Sequence, residues 1–179
     1  MDAQSEMTAG TDRRCGLEAG SSYVILEERC ERGFEIFRDL VLGGAPGLCI
    51  TRELPLKVQA RYGLERHPVL WLSRNLEGED VLRPTPAEGV SLAIEHFVAG
   101  VQSGVVVLDG LEYLVGHNDF RSILSLVNDL TEIVAIHGAI LLIPVNPKAL
   151  DPQEVALLCR SLAQLPGATV EAPNPAPTN

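Results

Sequence analysis

The stretch VVVLDGLEYL, residues 105–114, decides the fold of this chain. Three valines and a leucine run directly into Asp109, and a glycine then begins a new apolar pattern. Such a run is typical of a buried parallel strand that ends in a polar residue at its carboxyl end. Nucleotide-hydrolysing α/β proteins present a magnesium-binding aspartate in this way, so Asp109 is either such a residue or the remnant of one.

Five other segments have the same strand-like apolar character. They are YVILE (23–27), GLCIT (47–51), VLWLS (69–73), AILLIPV (139–145) and, more weakly, ATVEA (168–172). Segments with helical periodicity separate them. This alternation predicts a three-layer α/β/α domain with a mainly parallel sheet of five to six strands and helices on both faces. The order of the strands is not predicted.

The predicted helices have recognisable apolar faces or end signals. These are Phe34, Phe37, Leu40 and Val41 on one face of the first helix; Pro55 and Gly63 around the second; a capping box of Thr85, Pro86 and Glu88 for the third; a start near Asn118 and a stop at Gly138 for the fourth; and a capping box of Asp151, Pro152 and Glu154 for the last. We therefore expect one domain over residues 20–171, with disordered tails over residues 1–19 and 172–179.

The charge, the cysteines and the lengths of the apolar runs bear on the partners and the location of this protein. The chain has 179 residues, a net charge of −10 and a pI of about 4.8, which argue against nucleic-acid binding. Four scattered cysteines, the absence of a signal-peptide pattern and the absence of a long apolar run predict a cytoplasmic protein without membrane insertion. The acidic residues expected on a solvated surface are Glu27, Glu28, Glu31, Glu77, Glu79 and Asp80.

The turn after the first strand lacks a phosphate-binding loop. Such a loop needs GxxxxGK[ST], but the turn here reads EERCERG (27–33), with one glycine, no lysine and three glutamates. These carboxylates are expected to repel a triphosphate and to oppose a lowered thiol pKa at Cys30. No catalytic motif is present, so we predict no catalytic residue, no metal site and no cofactor.

Several motifs resemble one family in the same order along the chain. They are GSSYVILEE, GAPGLCITRELP, YGLERHPVLWLS, GVVVLDGLEYLVGHNDF and ILLIPVNPKAL. Over residues 20–162 the chain resembles the archaeal and bacterial family called domain of unknown function 835. The resemblance implies a module of signal-transduction proteins and no enzymatic activity.

A more distant resemblance is to RecA-type ATPases of the KaiC group. Thr51, Arg52 and Glu53 match the strand-two motif of that group, and Asp109 matches its metal-side aspartate. Because EERCERG replaces the phosphate loop, the resemblance implies a RecA-like scaffold without a P-loop.

The first functional hypothesis is a non-enzymatic regulatory or interaction module with a protein partner, and RecA-like packing implies homo-oligomers. Its candidate surface residues are Arg52, Trp71, Arg74, Tyr113 and Asn118. Trp71 is alternatively a core residue, and Asn118 is alternatively a helix N-cap.

The second hypothesis is a sensor for a small anionic or nucleotide-like ligand at the carboxyl edge of the sheet. Arg52 and Arg74 would clamp the anion, and Asp109 and Glu112 would hold a metal or polar group. The alternative role for Asp109 is to cap the following turn and form an ion pair with one of these arginines.

Overall fold

The computed structural model describes residues 16–166 and confirms the three-layer α/β fold. Within these residues seven strands form one sheet in the order β4-β3-β2-β5-β6-β1-β7, and all neighbouring strands are parallel. The strands are β1 (Ser21–Leu26), β2 (Gly47–Thr51), β3 (Val69–Leu72), β4 (Val81–Leu82), β5 (Val105–Leu108), β6 (Ile140–Val145) and β7 (Ala163–Leu165).

The predicted number of five to six strands is too low because both edge strands are very short. β4 has only two residues, and Trp71 donates its backbone N–H to Asp80 across this edge at 2.7 Å. β7 has three mostly exposed residues directly after the last helix. Neither strand is long enough to give an apolar run. The strand predicted over residues 168–172 and both predicted tails lie wholly or largely outside the described residues.

Helices cover both faces of the sheet. They are α1 (Glu31–Leu42), α2 (Pro55–Tyr62), α3 (Glu88–Ala99), α4 (Leu111–Val115), α5 (Phe120–His137) and α6 (Pro152–Ser161). The core beside α1 and α2 includes the predicted stripe from Phe34 to Val41, together with Leu17, which is fully buried. The opposite core packs the other four helices against alternate residues of the same strands. This division follows from the strand geometry, in which successive side chains point to opposite faces.

Most of the predicted helix ends are confirmed, including the start of α2 at Pro55. Gly63 follows α2 and Gly138 follows α5, both in the left-handed conformation that closes a helix. The α6 capping box is present, and Glu154 accepts the backbone N–H of Asp151 at 3.0 Å.

The capping box predicted for α3 is wrong. The helix begins at Glu88, and its N-cap is Ala87 with no side-chain hydrogen bond. Thr85 precedes a cis peptide bond to Pro86 and donates its hydroxyl to the carbonyl of His117 at 3.2 Å. Thr85 therefore lies two residues before the N-cap position, and its hydroxyl bonds a distant carbonyl instead.

The helix predicted to start near Asn118 and to stop at Gly138 is confirmed as α5, with a separate short helix before it. The stretch after Asp109 forms the short helix α4, and α5 begins later with Asp119 as its N-cap, which accepts the N–H of Ser122 at 3.0 Å. Asn118 is thus not the N-cap. Its side-chain amide donates to the carbonyls of Pro84 and Leu114, both at 2.8 Å, and ties the α4–α5 turn to the loop after β4.

The sheet topology places a crevice between two particular strands. From β2 the chain continues toward β3 and β4 on one side, whereas from β5 it continues toward β6 on the other. In open parallel sheets, ligands bind at the carboxyl ends of strands where the connections diverge in this way. The crevice therefore lies between the residues that follow Thr51 and those that follow Leu108.

Candidate functional site

Asp109 lies in this crevice and is held by the neighbouring strand. Its carboxylate is only 7 % exposed and accepts the hydroxyl of Thr51 at 2.7 Å. Its backbone N–H donates to Ile50 at 2.8 Å, which continues the β2–β5 pairing past the end of β5. Asp109 neither caps α4 nor forms an ion pair in the described part of the chain. Its partner is Thr51, which also lies at the end of a strand and which the RecA resemblance pairs with Asp109.

Arg52, Trp71 and Tyr113 are brought together beside Asp109. The Arg52 guanidinium donates to the carbonyl of Leu72 at 2.7 Å and stacks on the Tyr113 ring, with 3.6 Å from its central carbon to the ring centroid. The indole N–H of the half-buried Trp71 donates to the Arg52 carbonyl at 3.2 Å. These contacts fix the guanidinium at the mouth of the crevice, which reduces the entropy that a ligand contact would cost.

Arg74 does not converge with Arg52. It lies in a separate depression of about 250 Å³ that is also lined by Arg83, Thr85 and His117. His117 contacts the Tyr113 ring at a centroid distance of 4.3 Å, and its Nδ1 lies 2.8 Å from the Tyr113 carbonyl. The anion clamp that the sequence analysis built from Arg52 and Arg74 therefore does not form, because the loops after β2 and β3 direct them to different depressions.

Glu112 extends from α4 toward the loop after β6. It is half-buried and accepts the backbone N–H of Asn146. Burial raises the pKa of this carboxyl above its ordinary value, and the nearby Asp109 carboxylate adds to the rise, whereas the Asn146 N–H opposes it. The described residues contain no group of three or more His, Cys, Asp or Glu side chains arranged to hold a metal ion.

Glu27 is a buried residue whose position was predicted wrongly. It was expected on a solvated surface, but it is only 5 % exposed at the end of β1. Its two carboxylate oxygens accept the backbone N–H groups of Arg32 and Gly33, each at 2.9 Å. These donors lie in the first turn of α1, where backbone N–H groups and the helix dipole favour a negative charge.

The close approach of α1 to the sheet explains how Glu27 reaches these donors. A Cβ atom on Gly33 would lie 2.6 Å from Cγ of Pro144 in β6, so only glycine lets the first turn of α1 pack this closely. The signal available in the sequence was a glutamate that directly continues an apolar strand and precedes a glycine by six residues. That spacing is not one of the standard capping patterns, so it was not recognised.

Cys30 lies between Glu27 and α1 and is half-buried. Burial is the main cause that raises the pKa of its thiol far above the ordinary value, followed by the negative charge of the nearby Asp109 carboxylate. Glu112 and Glu27 act in the same direction. The thiol is therefore neutral near pH 7 and is not an activated nucleophile.

A cleft of about 630 Å³ opens over Asp109 between α1 and the β2–α2 connection. Its charged lining consists of Arg29, Arg52 and Arg61 together with Glu31, Glu35, Glu53 and Asp109. Cys30 and the stacked rings of Phe34 and Tyr62, 4.9 Å apart, complete the lining. Arg29 and Arg61 were not predicted as cleft residues, because neither follows a strand directly.

A family model described as Protein of unknown function (DUF835) matches residues 26–162, which is more than half of the chain, so the chain belongs to that family. The predicted resemblance to domain of unknown function 835 is thereby confirmed. Among curated proteins, none matches this chain. In the described residues, no helix is both long enough and apolar enough to cross a membrane.

Proposed function

We propose that this protein is a non-enzymatic regulatory or protein-interaction module of signal transduction, on a RecA-like scaffold whose phosphate position is filled by its own carboxylate. The observation that carries the proposal is that the Glu27 carboxylate accepts the backbone N–H groups of Arg32 and Gly33 at the start of α1. In nucleotide-binding α/β proteins the corresponding backbone donors, after the first strand, bind phosphate. The signalling role rests on the family resemblance.

The Glu27 carboxylate excludes phosphate from this position in two ways. It takes up the donors at the α1 N-terminus, and its negative charge would repel a polyphosphate at short distance. Lysine is absent from the whole turn, so nothing supplies the positive side chain of a P-loop. This favours a scaffold that does not hydrolyse nucleotides.

The surface beside the crevice has the composition of a protein contact. Three leucines near Arg52 and Trp71 in the chain are exposed, namely Leu54 in the loop after β2, Leu56 in the first turn of α2 and Leu76 in the loop after β3. Arginine and tryptophan dominate the binding energy of many interfaces, and exposed apolar residues grouped around them are a common interface feature. We name this surface, Arg52, Leu54, Leu56, Trp71 and Leu76, the β2–β3 loop face.

Self-association through the β2–β3 loop face is the testable form of the proposal. Leu56→Asp places a charge on this face at a side chain that is 72 % exposed, so the variant is expected to fold and to lose self-association. The measurement is molar mass by size-exclusion chromatography with light scattering over a range of concentrations. Wild type is expected to approach twice the monomer mass, and Leu56→Asp is expected to stay a monomer.

A matched control uses Leu42, which is 67 % exposed. It is the last residue of α1 and therefore lies near the amino ends of the strands, away from the crevice at their carboxyl ends. Leu42→Asp is expected to self-associate like wild type. A wild-type protein that stays monomeric at every concentration, and that retains no partner in a pull-down, would contradict the proposal.

A second candidate function is a sensor for a small ligand in the crevice. The observation that favours it is the cleft over Asp109, where Arg52 is held in place by Leu72 and Tyr113. This candidate does not require self-association.

A further inference from the structure

The cleft over Asp109 contains two cations that are not neutralised by a neighbouring carboxylate. Of its three arginines, Arg61 lies 3.5 Å from Glu53. No ion pair links Arg29 or Arg52 to an acidic side chain within residues 16–166. Arg52 is also fixed by its contacts with Leu72 and Tyr113 and presents its remaining N–H donors from a defined position.

The carboxylates of the cleft are mostly engaged with other groups. Glu53 pairs with Arg61, and Glu35 lies 3.7 Å from Arg32. Asp109 accepts Thr51 at 2.7 Å and still has lone pairs for a further donor. Glu31 is exposed, and Cys30 is a neutral thiol rather than a further negative charge.

We propose that this cleft binds a small molecule with one anionic group, held between Arg29 and Arg52, and one hydrogen-bond donor, which contacts the Asp109 carboxylate. This inference specifies the ligand class for the sensor candidate and is independent of self-association. Three arginines and four carboxylates line the cleft, so a ligand of low net charge suits it better than a triphosphate. A fork-shaped guanidinium binds either a carboxylate or a phosphate group in this way.

Four probes separate the features of the ligand: acetate, glycolate, inorganic phosphate and glycerol 3-phosphate. The first two carry a carboxylate and the last two a phosphate, and the second member of each pair adds a hydroxyl donor. We expect saturable backbone amide shifts in ¹H–¹⁵N spectra at residues 29–31, 52–53 and 109–110, recorded at constant ionic strength so that screening does not change. One of the two pairs is expected to bind more tightly than the other. Within that pair, the probe with the hydroxyl is expected to bind about tenfold more tightly than the probe without it, because the hydroxyl adds a hydrogen bond to a charged acceptor.

Arginine variants test whether the named residues bind the probe. Arg52→Gln and Arg29→Gln are each expected to weaken binding of the preferred probe about tenfold. Arg74→Gln is the matched control, because it removes the same charge from an exposed arginine after the adjacent strand that lies outside this cleft. Arg29 is exposed in the turn before α1, so Arg29→Gln keeps the test decisive even if Arg52→Gln unfolds.

Three results would overturn the inference. The first is the absence of saturable shifts with all four probes. The second is an equal loss of affinity in Arg74→Gln, or shifts centred on Arg74, Arg83 and His117. The third is tighter binding of ATP than of any of the four probes. None of these results bears on the mass of the Leu56→Asp variant, so this inference and the proposed function fail separately.

Discussion

Replacing Glu27 with alanine is expected to lower the free energy of unfolding by about 3 kcal/mol, since it leaves one buried and one partly buried backbone donor without an acceptor. It also removes a negative charge from the N-terminus of α1, where the helix dipole favours one. The measurement is urea denaturation followed by the fluorescence of Trp71, the single tryptophan of the chain. An intermediate loss is expected for Glu27→Gln, which keeps one acceptor oxygen.

Glu31→Ala is the control for Glu27→Ala. Glu31 carries the same charge near the same helix N-terminus, but its side chain is exposed and α1 begins at that residue. Its removal is expected to cost about 0.5 kcal/mol, which is the dipole contribution of an exposed carboxylate. If both variants unfolded at the same urea concentration, Glu27 would be an ordinary surface glutamate and the account of the closed phosphate position would be wrong.

Replacing Gly110 with alanine is expected to cost about 3 kcal/mol and to disorder the site around Arg52. Gly110 has a φ of +114°, a backbone conformation that other residues rarely adopt. An added Cβ would lie 2.6 Å from Cγ of Arg52 and 3.2 Å from Cδ1 of the buried Leu72. The substitution therefore strains the backbone and pushes Arg52 away from the Tyr113 ring.

Gly44→Ala is the control that separates the backbone strain of Gly110→Ala from its steric contact with Arg52. Gly44 has a similar φ of +103°, but an added Cβ would meet no atom within 4 Å. Gly44→Ala is therefore expected to show only the backbone cost, about 1 kcal/mol, and an unchanged emission spectrum of Trp71. Gly110→Ala is expected to shift that emission, because the indole N–H donates to the Arg52 carbonyl. Equal losses of stability in the two variants would contradict the close packing of Gly110 against Arg52.

The fold was predictable because its signals are local and repeated. Continuous apolar strands such as residues 105–108 and 140–145, separated by amphipathic helices, leave few arrangements other than a parallel sheet covered on both faces. Helix ends at Gly63 and Gly138 were predictable for the same reason, since glycine in the left-handed conformation is a local requirement.

The site was predictable only in part, because its decisive contacts join residues far apart in the chain. Asp109 and Arg52 were found from their positions after strands, but their partners Thr51 and Tyr113 depend on which strands are neighbours. The same is true of Thr85, whose hydroxyl bonds a carbonyl 32 residues away instead of capping α3. Glu27 escaped prediction because a buried glutamate after a strand has the same sequence pattern as an exposed one.

The most direct test of the central claim is the thermal unfolding midpoint of the wild-type protein with millimolar ATP, measured with and without Mg²⁺. A ligand that binds only the folded protein raises this midpoint by mass action. Because the Glu27 carboxylate takes up the backbone donors of Arg32 and Gly33, the account predicts the same midpoint with and without MgATP. A Mg²⁺-dependent rise that Asp109→Ala abolishes would contradict the account and would make this protein a nucleotide-binding domain.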